Sequence, residues 1–192
     1  VTVSCDLNFR KKLWLWEPGT PARELAEKTM RQLLPFVDVV IANEEDAADI
    51  LSIHASATDV EAGELNFEAY VEVAQEIVKQ FPNVSKVAIT LRESVTANHN
   101  NWGAMLYDAG TRQPHYAPTI DDDYAPYEIR NIVDRVGGGD SFGAGLIFAL
   151  QTPEYRQPED AIAFAVAASC LAHSIEGDFN FNAREEVEQL MK

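Results

Sequence analysis

The chain has 192 residues, with 15 Lys and Arg against 31 Asp and Glu, and a formal net charge of -16. Its 46% hydrophobic and 24% charged residues are ordinary for a globular domain and exclude disordered and fibrous classes. No apolar run approaches the roughly 20 residues of a membrane span, and the negative charge argues against nucleic acid as a partner. An anionic ligand would need local groups that overcome the field of the whole molecule.

The first half of the chain alternates apolar runs typical of strands with amphipathic patterns typical of helices. Pro21 begins one helical pattern, and Asn43 is well placed to cap another helix. The predicted elements are a short buried strand at 1–5, a helix from 21, a strand at 37–42, a helix after 43, a connector at 63–66, a helix at 67–81 and a strand at 86–90.

The second half begins with an antiparallel hairpin, predicted at 103–107 and 113–117. The remaining predicted elements are an exposed acidic loop at 120–130, a short strand at 131–134 and helices at 141–150, 158–174 and 183–191. This alternation predicts a doubly wound α/β fold, with a mostly parallel sheet and helices on both faces. No repeat or linker divides the chain, so a single domain is expected over 1–192.

The two cysteines, Cys5 and Cys170, stand in apolar stretches without a nearby Cys or His pair. Buried reduced thiols are therefore favoured over a disulfide or a metal site. Reduced thiols fit a cytoplasmic location, because disulfides persist mainly in oxidising compartments.

Three consecutive glycines, Gly137, Gly138 and Gly139, separate a strand-like run from a long apolar helix. Their backbone N–H groups and the start of the helix predict an anion site made from backbone alone. Asp140 stands at the rim of that site, where it could accept a hydroxyl proton during phosphoryl transfer. The alternative is a tight glycine turn with Asp140 as a simple helix cap.

Two better-known phosphate motifs are excluded at this segment. A G-x-G-x-x-G fingerprint would require glycine where Phe142 stands, and a P-loop would require lysine where Ala144 stands. Neither a Rossmann dehydrogenase nor a P-loop NTPase is therefore the first choice.

The segment at 134–142, with the sequence DRVGGGDSF, resembles the C-terminal signature D-T-x-G-A-G-D of the ribokinase/PfkB family of carbohydrate kinases. Three further segments look like their counterparts in the 2-keto-3-deoxygluconate kinases of that family, and they occur in the family's order: 6–14, 90–92 and 177–180. Two departures stand in the signature: Arg135-Val136 replaces the common pair, and Gly138 replaces Ala.

The resemblance implies that Asp140 is the catalytic base and that Gly137, Gly138 and Gly139 form the anion hole. It also implies a substrate-binding set and a nucleotide-binding set. The substrate-binding residues would be Arg10, Asp140 and Asp178. The nucleotide-binding residues would be Asn8, Thr90, Leu91, Arg92, Gly137, Gly139, His173 and Gly177.

Two of these residues have simpler interpretations. A guanidinium suits a sugar acid's carboxylate, so Arg10 is the candidate partner, but it could also be a solvated cation beside Lys11 and Lys12. For His173, an ordinary partly buried histidine on a packed helix is favoured over a nucleotide contact.

Residues 43–46 align with the family's N-x-x-E motif, which helps to organise magnesium and phosphate, so Asn43 and Asp46 are the metal candidates. Asp46 is shorter than the usual Glu, and Glu44 or a bridging water could compensate. Without the resemblance, Asn43 is a helix cap. The implied cofactors are ATP and Mg²⁺, with a monovalent cation as a further candidate.

Family members begin with a region that supplies the first strands, most sugar contacts and a small β-lid, and nothing in this chain matches it. We therefore expect a fragment with an unpaired apolar edge that favours homo-oligomers, weak nucleotide binding and poor turnover. The expected activity is an ATP-dependent kinase of a small sugar acid, 2-keto-3-deoxygluconate first. The alternatives are a kinase of a neutral sugar or nucleoside and a non-catalytic binding remnant.

Overall fold

The computed structural model describes residues 1–43, 45–54 and 66–192. Glu44 and positions 63–65 of the predicted connector lie outside the described residues. The chain divides into two compact units, one comprising Val1–Ile89 and Tyr107–Pro114 and the other comprising Thr90–Leu106 and His115–Lys192.

The first unit alternates strands and helices. Its elements are β1 (Ser4–Asp6), α1 (Ala22–Leu33), β2 (Val39–Ala42), α2 (Asp46–Leu51), α3 (Phe67–Gln80) and the start of β3 (Lys86–Thr96). β1, β2 and β3 pair in parallel, with Cys5 opposite Val40 and Ile41 opposite Ala88. All four residues of β2 are buried, as expected for a central strand of continuous apolar sequence.

The prediction of a buried strand at 1–5 is wrong in its burial. The strand lies at Ser4–Asp6, where Cys5 is half-buried and its neighbours are exposed, and the side chain of Val3 is also exposed. Among the described strands, β1 pairs with β2 alone, so it forms an edge of the sheet. An apolar run predicts a strand, but it cannot show that the strand lies at an edge.

The second unit contains the remaining elements: β4 (His99–Asp108), β5 (Gln113–Ala117), β6 (Thr119–Ile120), β7 (Asp123–Tyr124), β8 (Tyr127–Ile129), α4 (Gly138–Gln151), α5 (Pro158–Ala172) and α6 (Arg184–Leu190). β3, β4 and β5 contribute residues to both units. The strand order is β1-β2-β3-β4-β5, with β8 antiparallel to β4. The predicted α/β class is confirmed, and the sheet is mixed.

Two predictions for the second unit are corrected. Positions 131–134 form no strand, because the N–H groups of Ile132 and Val133 donate to loop and turn carbonyls outside the sheet. The predicted loop at 120–130 contains two short strands, β7 and β8, and the Tyr127 hydroxyl of β8 donates to the carbonyl of Leu190 in α6. The acidic residues around β8 concealed a strand that only its pairing with β4 reveals.

α4 and α5 pack closely in the core of the second unit. A Cβ built on Gly145 would lie 3.1 Å from the Cα of Ala165, so only glycine allows this approach without displacement. Phe142, Leu146 and Ile162 are fully buried beside it. This packing fixes α4, whose first turn carries the predicted anion hole, against α5.

Cys5 and Cys170 are free thiols, as predicted, and each is half-buried rather than fully buried. Burial raises the pKa of both thiols, that of Cys170 to about 11. Within the described ranges, none of the helices is both long enough and apolar enough to cross a bilayer.

Candidate active site

The turn before α4 is shorter than predicted, because α4 begins at Gly138 rather than at residue 141. Gly137 precedes the helix with φ at 78°, and a Cβ built on it would lie 2.6 Å from the carbonyl oxygen of Asp178. The N–H groups of Gly138, Gly139 and Asp140 open the helix, where no intrahelical acceptor exists for them. Gly139 has open space around its Cα. This end of α4 can therefore receive an anion.

Residues in and just after α5 contact the glycine turn. The Ser169 hydroxyl donates to the carbonyl of Gly138 at 2.7 Å. The ring of His173 lies beneath the same residue, since a Cβ on Gly138 would come within 3.1 Å of its Cε1 atom. Only 4% of His173 is exposed, and its ring also packs against Trp102 with centroids 5.1 Å apart.

These contacts show His173 as a packing residue. Its Nδ1 donates to the carbonyl of Ser169 at 2.8 Å. Burial is the main cause that lowers the pKa of His173, so the neutral form is favoured. The structure agrees with the simpler interpretation of this residue, and its role in nucleotide binding stays a prediction.

Asp134 organises the loop before the turn, a role that the sequence did not assign. Its Oδ1 accepts the N–H groups of Arg135 and Val136 at 2.7 and 3.0 Å, and its Oδ2 accepts that of Gly177 at 3.0 Å. The hydrogen bonds from Val136, Gly177 and Arg135, in that order, lower the pKa of this carboxyl group. The sequence held two signals for this residue: Asp134 is the first residue of the signature segment, and Asp is typical before a turn.

Asp140 and Asp178 are exposed, and both line an open cavity of about 440 Å³ between α4, α5 and α6. Phe148 and Asn180 lie on its walls. Asp140 belongs to the first turn of α4, beside N–H groups that have no acceptor within the helix. The structure thus brings together Gly137, Gly138, Gly139, Asp140, His173, Gly177 and Asp178 in the second unit.

Thr90, Leu91 and Arg92 lie on β3, where that strand enters the second unit. Thr90 and Leu91 are 8% and 1% exposed, whereas Arg92 is exposed. Of the three, Arg92 therefore has the side chain best placed to meet a ligand from solvent. Contact of these residues with nucleotide phosphates stays a prediction.

The first unit holds the other candidates. Asn8 follows β1 with φ at 40°, and both Asn8 and Arg10 are exposed. Arg10 precedes a short 3₁₀ turn at Lys11–Leu13. Its guanidinium is thus accessible to an anionic ligand, and the structure equally fits a solvated cation.

The side chains of Asn43 and Asp46 accept hydrogen bonds from backbone N–H groups. The Asp46 carboxylate, in a residue only 4% exposed, accepts the N–H groups of Phe9 at 2.9 Å and Asn43 at 3.0 Å. The Asn43 Oδ1 accepts the N–H groups of Glu45 and Asp46. This geometry fits capping and does not favour direct magnesium ligands. In the ranges described, no three His, Cys, Asp or Glu side chains cluster as a metal site.

No protein-family model and no curated protein matches the chain. Among solved structures, a 2-dehydro-3-deoxygluconokinase from Thermotoga maritima is 42% identical and covers 100% of this chain and 50% of its own, with a TM-score of 0.81. A PfkB family carbohydrate kinase from Listeria grayi DSM 20601 is 30% identical, covering 100% and 51%, with a TM-score of 0.76.

A fructokinase from Vibrio cholerae O395 is 20% identical with a TM-score of 0.62, covering 100% of this chain and 51% of its own, and shares the fold. The chain spans about half the length of each of these structures. The ribokinase-like fold predicted from the signature is confirmed. By sequence identity and by fold, the chain belongs to the ribokinase/PfkB family of carbohydrate kinases.

Proposed function

We propose that the chain forms the nucleotide-binding and catalytic part of an ATP-dependent carbohydrate kinase, with Asp140 as general base. The observation that carries this proposal is the exposed carboxylate of Asp140 in the first turn of α4, beside helix N–H groups that lack intrahelical acceptors. A base and an anion hole at one place are what phosphoryl transfer to a hydroxyl requires.

In the proposed reaction, a sugar hydroxyl oxygen forms a bond to the γ-phosphorus of ATP while the bond from that phosphorus to the bridging oxygen breaks. The hydroxyl proton passes to Asp140, and ADP leaves. The N–H groups of Gly138 and Gly139 stabilise the charge on the transferred phosphoryl group, and Gly137 gives the turn its shape. Magnesium, when bound with ATP, neutralises phosphate charge.

The proposed cofactors draw support from structures of the same fold. A ribokinase-like protein from E. coli was solved in complex with ATP and Mg²⁺. A double mutant of the Vibrio cholerae fructokinase was solved with fructose, ADP and potassium, and the fructokinase itself with fructose, ADP and calcium. These ligands favour ATP, a divalent cation and a monovalent cation for this chain. A magnesium role for Asn43 and Asp46 remains part of the proposal, through water rather than by direct ligation.

The proposed substrate is a sugar acid, 2-keto-3-deoxygluconate. Its support is the 42% identity to the Thermotoga maritima 2-dehydro-3-deoxygluconokinase and the exposed guanidinium of Arg10. A forked guanidinium can bind a carboxylate through two parallel hydrogen bonds. Asp178, at the rim of the cavity, is the second proposed sugar contact.

Phosphotransfer from ATP to 2-keto-3-deoxygluconate, measured on the full-length parent protein, tests the proposal. Asp140→Asn should lower kcat by about 10²- to 10⁴-fold, since the variant lacks the base. Asp121→Asn is the matched control, because Asp121 is exposed and its φ of 52° suits Asn. Unchanged turnover in Asp140→Asn would remove this residue from the mechanism. Calorimetric binding of ATP and Mg²⁺ without turnover in the wild type would favour a non-catalytic binding protein.

The substrate class is tested separately at Arg10. Arg10→Ala should raise KM for the sugar acid about tenfold or more and leave KM for fructose or ribose unchanged. Lys12→Ala is the control for loss of a neighbouring positive charge. Equal or better activity of the wild type on neutral sugars would instead favour a fructokinase- or ribokinase-like enzyme.

A further inference from the structure

The segment before Gly137 runs between the tip of the β3–β4 hairpin and the turn after α5. The Ile132 N–H donates to the carbonyl of Asn98 at 3.4 Å, and the Val133 N–H donates to that of His173 at 2.9 Å. Backbone contacts therefore hold this segment on two sides. The glycine turn follows directly, so its position depends on them.

The side chains of Asp134 and Arg135, which are opposite in charge, add hydrogen bonds on the same two sides of the segment. The Asp134 carboxylate accepts the N–H group of Gly177, on the side of α5. The Arg135 Nη2 donates to the carbonyls of Thr96 at 3.2 Å and Ala97 at 2.5 Å, at the hairpin tip. A charged donor makes stronger hydrogen bonds to carbonyls than a neutral one does.

The same hairpin carries Arg92 on β3. After burial, which is the largest cause, the positive charges of Arg135 and Arg92 also lower the pKa of His173. Both guanidinium groups therefore act on the region beneath Gly138, where His173 lies. Two arginines near His173 are thus a local source of positive charge in a chain whose net charge is -16.

We propose that Arg135 is a positioning residue that fixes the hairpin carrying Arg92 against the turn at Gly137. It thereby sets the spacing of the groups that meet the nucleotide's phosphates. This inference rests on the proposed function. A threonine, as in the common signature, has too short a side chain to reach the hairpin tip, whereas a guanidinium can donate to two carbonyls at once.

Amide hydrogen exchange on the full chain without nucleotide tests the contact itself. Arg135→Met keeps the length of the side chain and removes its donors, so residues 96–98 and 137–139 should exchange about five times faster. Arg130→Met is the matched control, because Arg130 is an exposed arginine that pairs with Glu128. Unchanged exchange in Arg135→Met would overturn the proposal whatever the nucleotide does.

Calorimetric titration with ATP and Mg²⁺ tests the consequence. Arg135→Met should raise Kd about fivefold, and Arg135→Lys should recover part of this loss because its ammonium can still donate to a carbonyl. In the full-length parent, KM for ATP should rise while kcat changes less than twofold. Faster exchange with unchanged Kd would overturn the positioning role.

Suppose that Arg135→Met speeds amide exchange but the wild-type chain binds no ATP. That result would contradict the proposed function and the assignment of a nucleotide as the ligand. Wild-type binding with an unaltered Kd in Arg135→Met would count against this inference alone. The two failures are therefore distinguishable.

Discussion

The backbone of Asp178 lies against Gly137 so closely that a Cβ built on the glycine would come within 2.6 Å of the Asp178 carbonyl oxygen and 2.9 Å of its Cα. Gly137 also has a φ of 78°, which side-chain-bearing residues rarely adopt. Two positions later, Gly139 meets nothing within 4 Å. Of these two glycines in one signature, only Gly137 is therefore restricted to glycine by its contact and its φ.

Gly137→Ala should lower the free energy of unfolding by at least about 2 kcal/mol, because the methyl group meets backbone and φ is unfavourable. Gly139→Ala should change it by less than about 0.5 kcal/mol or raise it, since alanine suits a helix. Urea denaturation of both variants measures the difference. Equal destabilisation would show that the contact with Asp178 is not tight in solution.

The buried Asp46 carboxylate should contribute to stability through the N–H groups of Phe9 and Asn43. Asp46→Asn leaves one of these donors facing an amide NH₂, so the free energy of unfolding should fall by about 1–3 kcal/mol. Denaturant titration without magnesium is the measurement. Glu45→Gln, at an exposed neighbour, is the control and should have an effect below about 0.5 kcal/mol. A wild-type stability for Asp46→Asn would contradict the capping role.

Stability should fall as the pH is lowered below 6.5, the ordinary pKa of histidine, because of His173. Burial lowers the pKa of His173 in the folded state, so below pH 6.5 the unfolded chain binds a proton that the folded chain does not. This contribution is complete above pH 6.5 and is lost as the pH falls towards the folded pKa. Unfolding free energies between pH 7.5 and 5.5 measure the slope.

Two histidine variants test this assignment. His173→Gln should flatten the slope over that pH range, since glutamine does not titrate. His54→Gln, which removes an exposed histidine, is the control. An equal slope in His173→Gln and wild type would assign the pH dependence to other groups.

The sequence predicted those helices and strands that are determined by residues close together in the chain. α3 was expected at 67–81 and lies at Phe67–Gln80, because its apolar spacing and the cap at Asn66 act within a few residues. β2 was expected at 37–42 and lies at Val39–Ala42, because a continuous apolar run is also a local signal. The run of three glycines also indicated a turn, although α4 begins at Gly138 rather than at residue 141.

The features that the sequence did not show depend on partners far along the chain. β8 is a strand because it pairs with β4. The acidic residues around it in the sequence give no sign of that pairing. Asp134 reaches Gly177, 43 positions later, and Asp46 accepts from Phe9, 37 positions earlier. Periodicity does not encode such contacts, so the sequence could indicate candidate residues without showing how they are held.

The contacts that shape the turn at Gly137 come from residues that are synthesised later. Ser169 follows Gly138 by 31 positions, and Gly177 follows Asp134 by 43. The glycine loop therefore leaves the ribosome well before the helix and turn that hold it in place. A nascent chain that stops before α5 carries the whole signature without the contacts from Ser169 and Gly177, so the geometry of the turn depends on residues that are synthesised after it.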